Sequence, residues 1–150
     1  MLRDDINAAL KDAMKAKDQP RVATLRLINA AIQSVEIDLR DGKTLSEDAL
    51  LGVLQKMIKQ RQESLDIYQK AGREELAAKE RAEIEIISGY LPKQMSEDEA
   101  KAAIAGVVKE INAQSVKDMG KVMAALKERF AGKMDFGKAS GVVKSLLSGG

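Results

Sequence analysis

Asp118-Met-Gly-Lys-Val-Met-Ala-Ala-Leu126, then Gly132-Lys-Met-Asp135, then Val143-Lys-Ser-Leu-Leu147, is the stretch whose reading decides the fold. Met119, Val122, Met123, Leu126 and Phe130 recur at spacings of three and four, which puts them on one face of a helix. After Asp135, placed to cap a second helix, the pattern returns in Phe136, Ala139, Val142, Val143, Leu146 and Leu147. The Gly-Lys pair between them predicts a tight loop. Lysines thread the whole stretch, and it holds no side chain equipped for catalysis.

Working upstream, Ser96-Glu-Asp-Glu99 predicts a capping box that opens a helix carrying Ala100, Ala103, Ile104, Val107, Val108 and Ile111. Ser115 with Asp118 predicts a second, weaker cap. Leu91-Pro92 is the natural boundary, because proline disfavours helix at the residue before it. Before that boundary four amphipathic helices are expected. The first covers Leu2 to Lys17. The second, capped by Asp18 with Pro20 in its first turn, carries Val22, Leu25, Ile28, Ile32, Val35 and Leu39 and stops at Asp41-Gly42-Lys43. The third starts near Ser46, with Ser46 or Thr44 as cap; the fourth follows Gly72. The fold class is all-α: an N-terminal bundle of about four helices over residues 1–91 and a C-terminal three-helix domain over residues 96–150.

Composition narrows the chemistry. Among 150 residues only Tyr68, Tyr90, Phe130 and Phe136 are aromatic, so the core must be aliphatic. The chain has no Cys and no His. Disulfides and thiolate metal sites are therefore impossible, and the commonest proton-transfer side chain at neutral pH is missing. No metal or cofactor is expected. No apolar run approaches the roughly 20 residues of a membrane-spanning helix, and the N-terminus does not read as a targeting peptide. A cytoplasmic location and no membrane partner are expected. The net charge is +2, and from Val116 onward seven basic residues face three acidic ones.

The pattern resembles the GatB/YqeY family, which joins stand-alone YqeY-like proteins to the tail of the B subunit of the glutamine-dependent tRNA amidotransferase. The resemblant stretches are Ala13-Met-Lys15, Leu25-Arg-Leu27, Lys59-Gln-Arg61, Gly72-Arg73, Leu76, Glu80, Glu83-Ile84 and Tyr90-Leu-Pro92 in the first half. In the second they are Asp118-Met-Gly-Lys-Val-Met123, Gly132-Lys133, Asp135 and Val143-Lys144. Only the second half is shared with the amidotransferase tail. One departure stands out: Met134 and Phe136 flank Asp135, where the resemblance implies a small residue before it and often Gly or Pro after it.

The resemblance implies tRNA or another structured RNA as a partner, with a translation-related protein as a further one; DNA is not expected. It links the chain to carbon–nitrogen ligase activity with glutamine as amido donor, but chemistry there belongs to other domains. This chain reads as no enzyme by itself. The residues expected to meet RNA are Lys117, Lys121, Lys127, Arg129, Lys133, Lys138 and Lys144; of these, Lys117, Lys121, Lys133 and Lys138 ring two helix starts whose free N–H groups suit phosphate. A plain solvated face is the competing account. Gly120 lies within a predicted helix, and close packing on a neighbour explains it better than approach of a nucleic-acid backbone. Arg26, Arg61, Glu80 and Glu83 read as a structural ion-pair network between helices in preference to a carboxylate active site. Four aromatics on inner faces cannot make a stacking platform for single strands. A non-catalytic tRNA-binding or tRNA-presenting module is thus the first reading, and a helical protein–protein adaptor is the alternative.

Overall fold

The structure is a computed structural model, and it describes residues 1–39 and 42–148. Among the described residues seven α-helices run in order: α1 Leu2–Lys15, α2 Gln19–Ile37, α3 Glu47–Lys70, α4 Glu74–Ser88, α5 Glu97–Ile111, α6 Met119–Phe130 and α7 Phe136–Ser148. A 3-10 turn, Val116–Asp118, leads directly into α6, and no strand occurs among the described residues. The all-α expectation holds. The chain divides into two compact units, Met1–Pro92 and Lys93–Gly150.

Local chemistry sets the helix ends of the first unit. Lys17 adopts a left-handed φ of 57°, and the Asp18 amide bonds back to the Ala13 carbonyl at 3.0 Å, so α1 closes two residues earlier than the pattern predicts. Asp18 then accepts the Arg21 amide at 3.3 Å, with Pro20 in the first turn of α2. Ser46, not Thr44, caps α3, accepting from the Ala49 amide at 3.2 Å. Gly72, at a φ of +70°, supplies the left-handed turn between α3 and α4. The second helix ends at Ile37, two residues short of the expected Leu39. Asp41, part of its expected stop signal, lies outside the described residues.

The core of this unit is aliphatic, as four aromatics in 150 residues require. Ile6, Leu25, Ile28, Ile32, Leu54 and Ile87 are essentially sealed from solvent. Each such side chain contributes about 1.5–3 kcal/mol through burial. α3 packs chiefly on α4, while α2 touches α1, α3 and α4. Val35, expected on the inner stripe, is 40% exposed, because the buried face of α2 runs through Val22, Leu25, Ile28 and Ile32. Glu36 ties the approach to α3: its carboxylate accepts the Leu45 amide at 2.8 Å and the Arg3 guanidinium. The Leu45 amide and then Arg3 hold this carboxyl below its ordinary pKa.

The four-member charge network does not form. Arg61 and Glu83 pair at 2.8 Å, with side chains only 16% and 13% exposed, and Arg61 also donates to the Met57 carbonyl at 3.1 Å. Arg26 is exposed, and neither it nor Glu80 makes an ion pair among the described residues. The reason is geometric. Arg26 follows Leu25 on a helix whose Leu25 is fully buried, so it turns away from the core. Arg61→Ala should therefore lower the unfolding free energy in urea by roughly 2 kcal/mol, since it strands a half-buried carboxylate. Arg26→Ala should shift it by no more than about 0.5 kcal/mol. Equal effects of the two would contradict this assignment.

Candidate nucleic-acid interface

In the second unit α5, α6 and α7 pack mutually around Ile104, Val107, Val122, Leu126, Met134, Ala139, Val143 and Leu147. The expected capping box is present: the Glu99 amide donates to Ser96 Oγ, and Glu99 returns a bond to the Ser96 amide, both at 3.1 Å. Asn112, left-handed at a φ of 60°, ends α5. Asp118 then gathers the chain, accepting the Gln114 amide at 2.9 Å and the Ser115 amide at 3.4 Å. Those two amides hold its carboxyl below the ordinary range.

Only five residues separate α6 from α7. Gly132, at a φ of +75°, makes the reversal that a side chain would strain. Met134 turns into the core, leaving it buried. Asp135 caps α7, accepting the Gly137 and Lys138 amides at 2.8 and 3.2 Å. A strap from the start of the unit clamps this loop: the Met95 amide donates to the Lys133 carbonyl at 2.8 Å, and the Gln94 side chain to the Gly132 carbonyl.

This framework sorts the basic residues into three sets. Lys117, Lys121 and Lys127 are exposed along the outer side of α6 and the turn before it. Lys133 and Lys138 are exposed beside the loop, where they edge a groove of about 330 Å³ between α5 and α7. Lys144 is exposed on the outer side of α7. None of these six lysines makes an ion pair among the described residues. Arg129 is different, and its expected place among the RNA contacts is corrected. Its guanidinium forks onto the Glu110 carboxylate at 2.6 and 3.0 Å, tying α6 to α5. That pair lowers the Glu110 pKa, through the hydrogen bond first and the charge second. The sequence offers no sign of this partnership, because the two residues lie 19 positions apart.

Gly120 requires a second correction. It is exposed, and a methyl group added there would meet no atom within 4 Å, so close helix packing does not explain it. It sits in the first turn of α6, and Ala124 and Lys127 follow at the i+4 and i+7 positions of the same outer face. Ala124 is also exposed. Lys121 and Lys127 therefore border a short strip of small side chains at Gly120 and Ala124, which ends at the exposed carboxylate of Glu128. Sequence reasoning missed Lys101, which joins Lys133 and Lys138 at the groove; only the approach of α5 to α7 brings it there. Among the described residues no group of three or more acidic, Cys or His side chains could hold a metal ion. No helix among them is long and apolar enough to cross a membrane.

Residues 3–147 match the family described as Yqey-like protein. The chain belongs to that family. Among curated relatives, the Clavispora lusitaniae protein named "Altered inheritance of mitochondria protein 41, mitochondrial" is 32% identical over 149 residues, covering 97% of this chain and 85% of its own length. The protein of that name from Eremothecium gossypii is 43% identical over 82 residues, 55% of this chain and 44% of its own. The one from Lachancea thermotolerans is 39% identical over 104 residues, 68% and 55% respectively. The chain thus spans about half the length of these last two relatives. Their names are those of mitochondrial proteins, and this overturns the cytoplasmic location expected from the sequence.

Two outcomes follow from this geometry. Gly120→Ala should raise the unfolding free energy by roughly 0.5 kcal/mol, because a helical position with open space gains from a better helix former. A loss on urea titration would restore the packing account. Asp118 and Glu110 have folded pKa values below their unfolded ones, so their stabilisation is complete above the unfolded values and fades as pH falls through the folded ones. Thermal midpoints should decline from about pH 4 downward. Asp118→Asn and Glu110→Gln should each flatten that decline.

Proposed function

We propose that the C-terminal unit holds the sugar-phosphate backbone of a folded tRNA and presents it to other machinery without itself making or breaking bonds. The observation that carries this reading is the outer side of α6. There Lys121 and Lys127, with Lys117 in the preceding turn, make no ion pair among the described residues beside exposed Gly120 and Ala124, and Glu128 is the one acidic side chain of α6. A backbone phosphate can approach such a strip closely, and each neutralised phosphate releases counterions. Lys144, exposed on α7, extends the same chemistry. Contact of this kind reads position and shape, as suits structured RNA, and needs no aromatic platform. The excess of positive charge from Val116 onward favours it further. The kinship to amidotransferase tails that the sequence suggests gives tRNA preference over other folded RNAs.

The adaptor reading has one observation in its favour. Leu27, Val35 and Ile37 are exposed on α2, at 42%, 40% and 75%. The RNA reading takes precedence because four exposed lysines of the C-terminal unit, Lys117, Lys121, Lys127 and Lys144, make no ion pair among the described residues, against Glu128 as the one acidic side chain of α6.

The test is binding to purified total tRNA across a salt series. Lys121→Glu with Lys127→Glu should weaken binding and flatten the slope of log K against log salt by about 2, roughly one unit per phosphate contact. Arg129→Ala, which removes a cation already committed to Glu110, should leave the slope unchanged. An unaltered affinity and slope in the double lysine variant would remove the proposed surface.

A further inference from the structure

The groove between α5 and α7 is not explained by backbone contact with RNA. Its floor is apolar: Ile104, Met134 and Ala139 are buried at its base, and Ala100 and Val142 are half-buried along its sides. Its rim is cationic, set by Lys101, Lys133 and Lys138. Two carboxylates also reach the rim, and both are engaged. Glu97 lies 3.6 Å from Lys101, and Asp135 accepts the first amides of α7. Lys133 and Lys138 make no ion pair among the described residues. The wall is built before any ligand arrives, because the Gln94–Met95 strap holds the Gly132–Lys133 carbonyls in place. Such preorganisation lowers the cost of binding.

We propose that this groove docks an acidic amphipathic peptide segment of a partner protein. One or two apolar side chains of the segment enter between α5 and α7, and its flanking carboxylates meet Lys133 and Lys138, the two rim cations that make no ion pair among the described residues. The volume of about 330 Å³ is at the small end for ligand pockets, which suits anchoring side chains better than a cofactor. A phosphodiester backbone would leave the apolar floor unfilled. An inserted base would find no aromatic ring among the lining residues to stack on. A helix or turn with apolar anchors and acidic flanks satisfies floor and rim together.

The experiment is a titration of the ¹⁵N-labelled full chain with a synthetic peptide of roughly 12 residues, built of leucines with flanking glutamates at helical spacing. A peptide with lysine in place of each glutamate is the control. Amide shifts should concentrate on Ala100, Lys101, Met134, Lys138 and Val142, and the control should produce none there. Lys133→Glu with Lys138→Glu should weaken the acidic peptide about tenfold or more, a loss of about 1.4 kcal/mol. Lys121→Glu with Lys127→Glu should leave peptide binding intact, which separates this proposal from the RNA surface on α6. The proposal is overturned if the shifts are absent or scattered, or if both peptides act alike. It is equally overturned if total tRNA moves these amides and the acidic peptide does not, for the groove would then be a polyanion site.

Discussion

The five-residue connection from α6 to α7 is the constraint on which the C-terminal unit depends. It must reverse the chain, fill the core and start a new helix. Gly132 performs the first task through its positive φ, Met134 the second and Asp135 the third. With those three committed inward or to the backbone, Lys133 is left exposed. The strap at Gln94 and Met95 consumes the loop carbonyls of Gly132 and Lys133, so the reversal cannot drift without breaking hydrogen bonds. Lys133 is thus carried on a turn whose backbone is held in place.

The first unit solves a different problem with the same materials. Without His, Cys or Trp, and with few aromatic rings, it relies on Ile, Leu, Val and Met for packing and on a few charge-assisted bonds for registry. Glu36 secures the segment before α3, and Arg61 with Glu83 joins the α3–α4 pair. The Arg61–Glu83 pair is mostly shielded from water, where an ion pair specifies geometry more reliably than it adds stability. Exposed pairs such as Arg81 with Glu74 contribute little.

Local signals were the legible part of the sequence. The Ser96–Glu99 box, Asp18, Ser46 and Asp135 are caps whose meaning depends on neighbours three residues away, and each sits at a helix start in the structure. Hydrophobic spacing likewise revealed all seven helices. Pairings across elements were not legible. Arg129 looks like any other cation of α6 until Glu110 of α5 stands opposite it. Gly120 shows the same limit from the other side. A glycine near a helix start can mean contact or its absence, and only the tertiary arrangement shows that its surroundings are open. Lys101 belongs to a different helix from the lysines it joins, so no linear pattern could have grouped them.

The departure at Met134 and Phe136 also changes meaning once the fold is known. In the sequence the two bulky residues depart from the pattern that the resemblance implies. In the structure Met134 is buried and Phe136 is half-buried against the same core. The extra volume is spent inside, where Met134 is itself part of the groove floor. What the loop shows outward is Lys133, the exposed Asp135 that caps α7, and Lys138 just beyond. The substitutions therefore bear on how firmly the groove is held, while the cationic rim keeps the character that the Gly-Lys pattern implies.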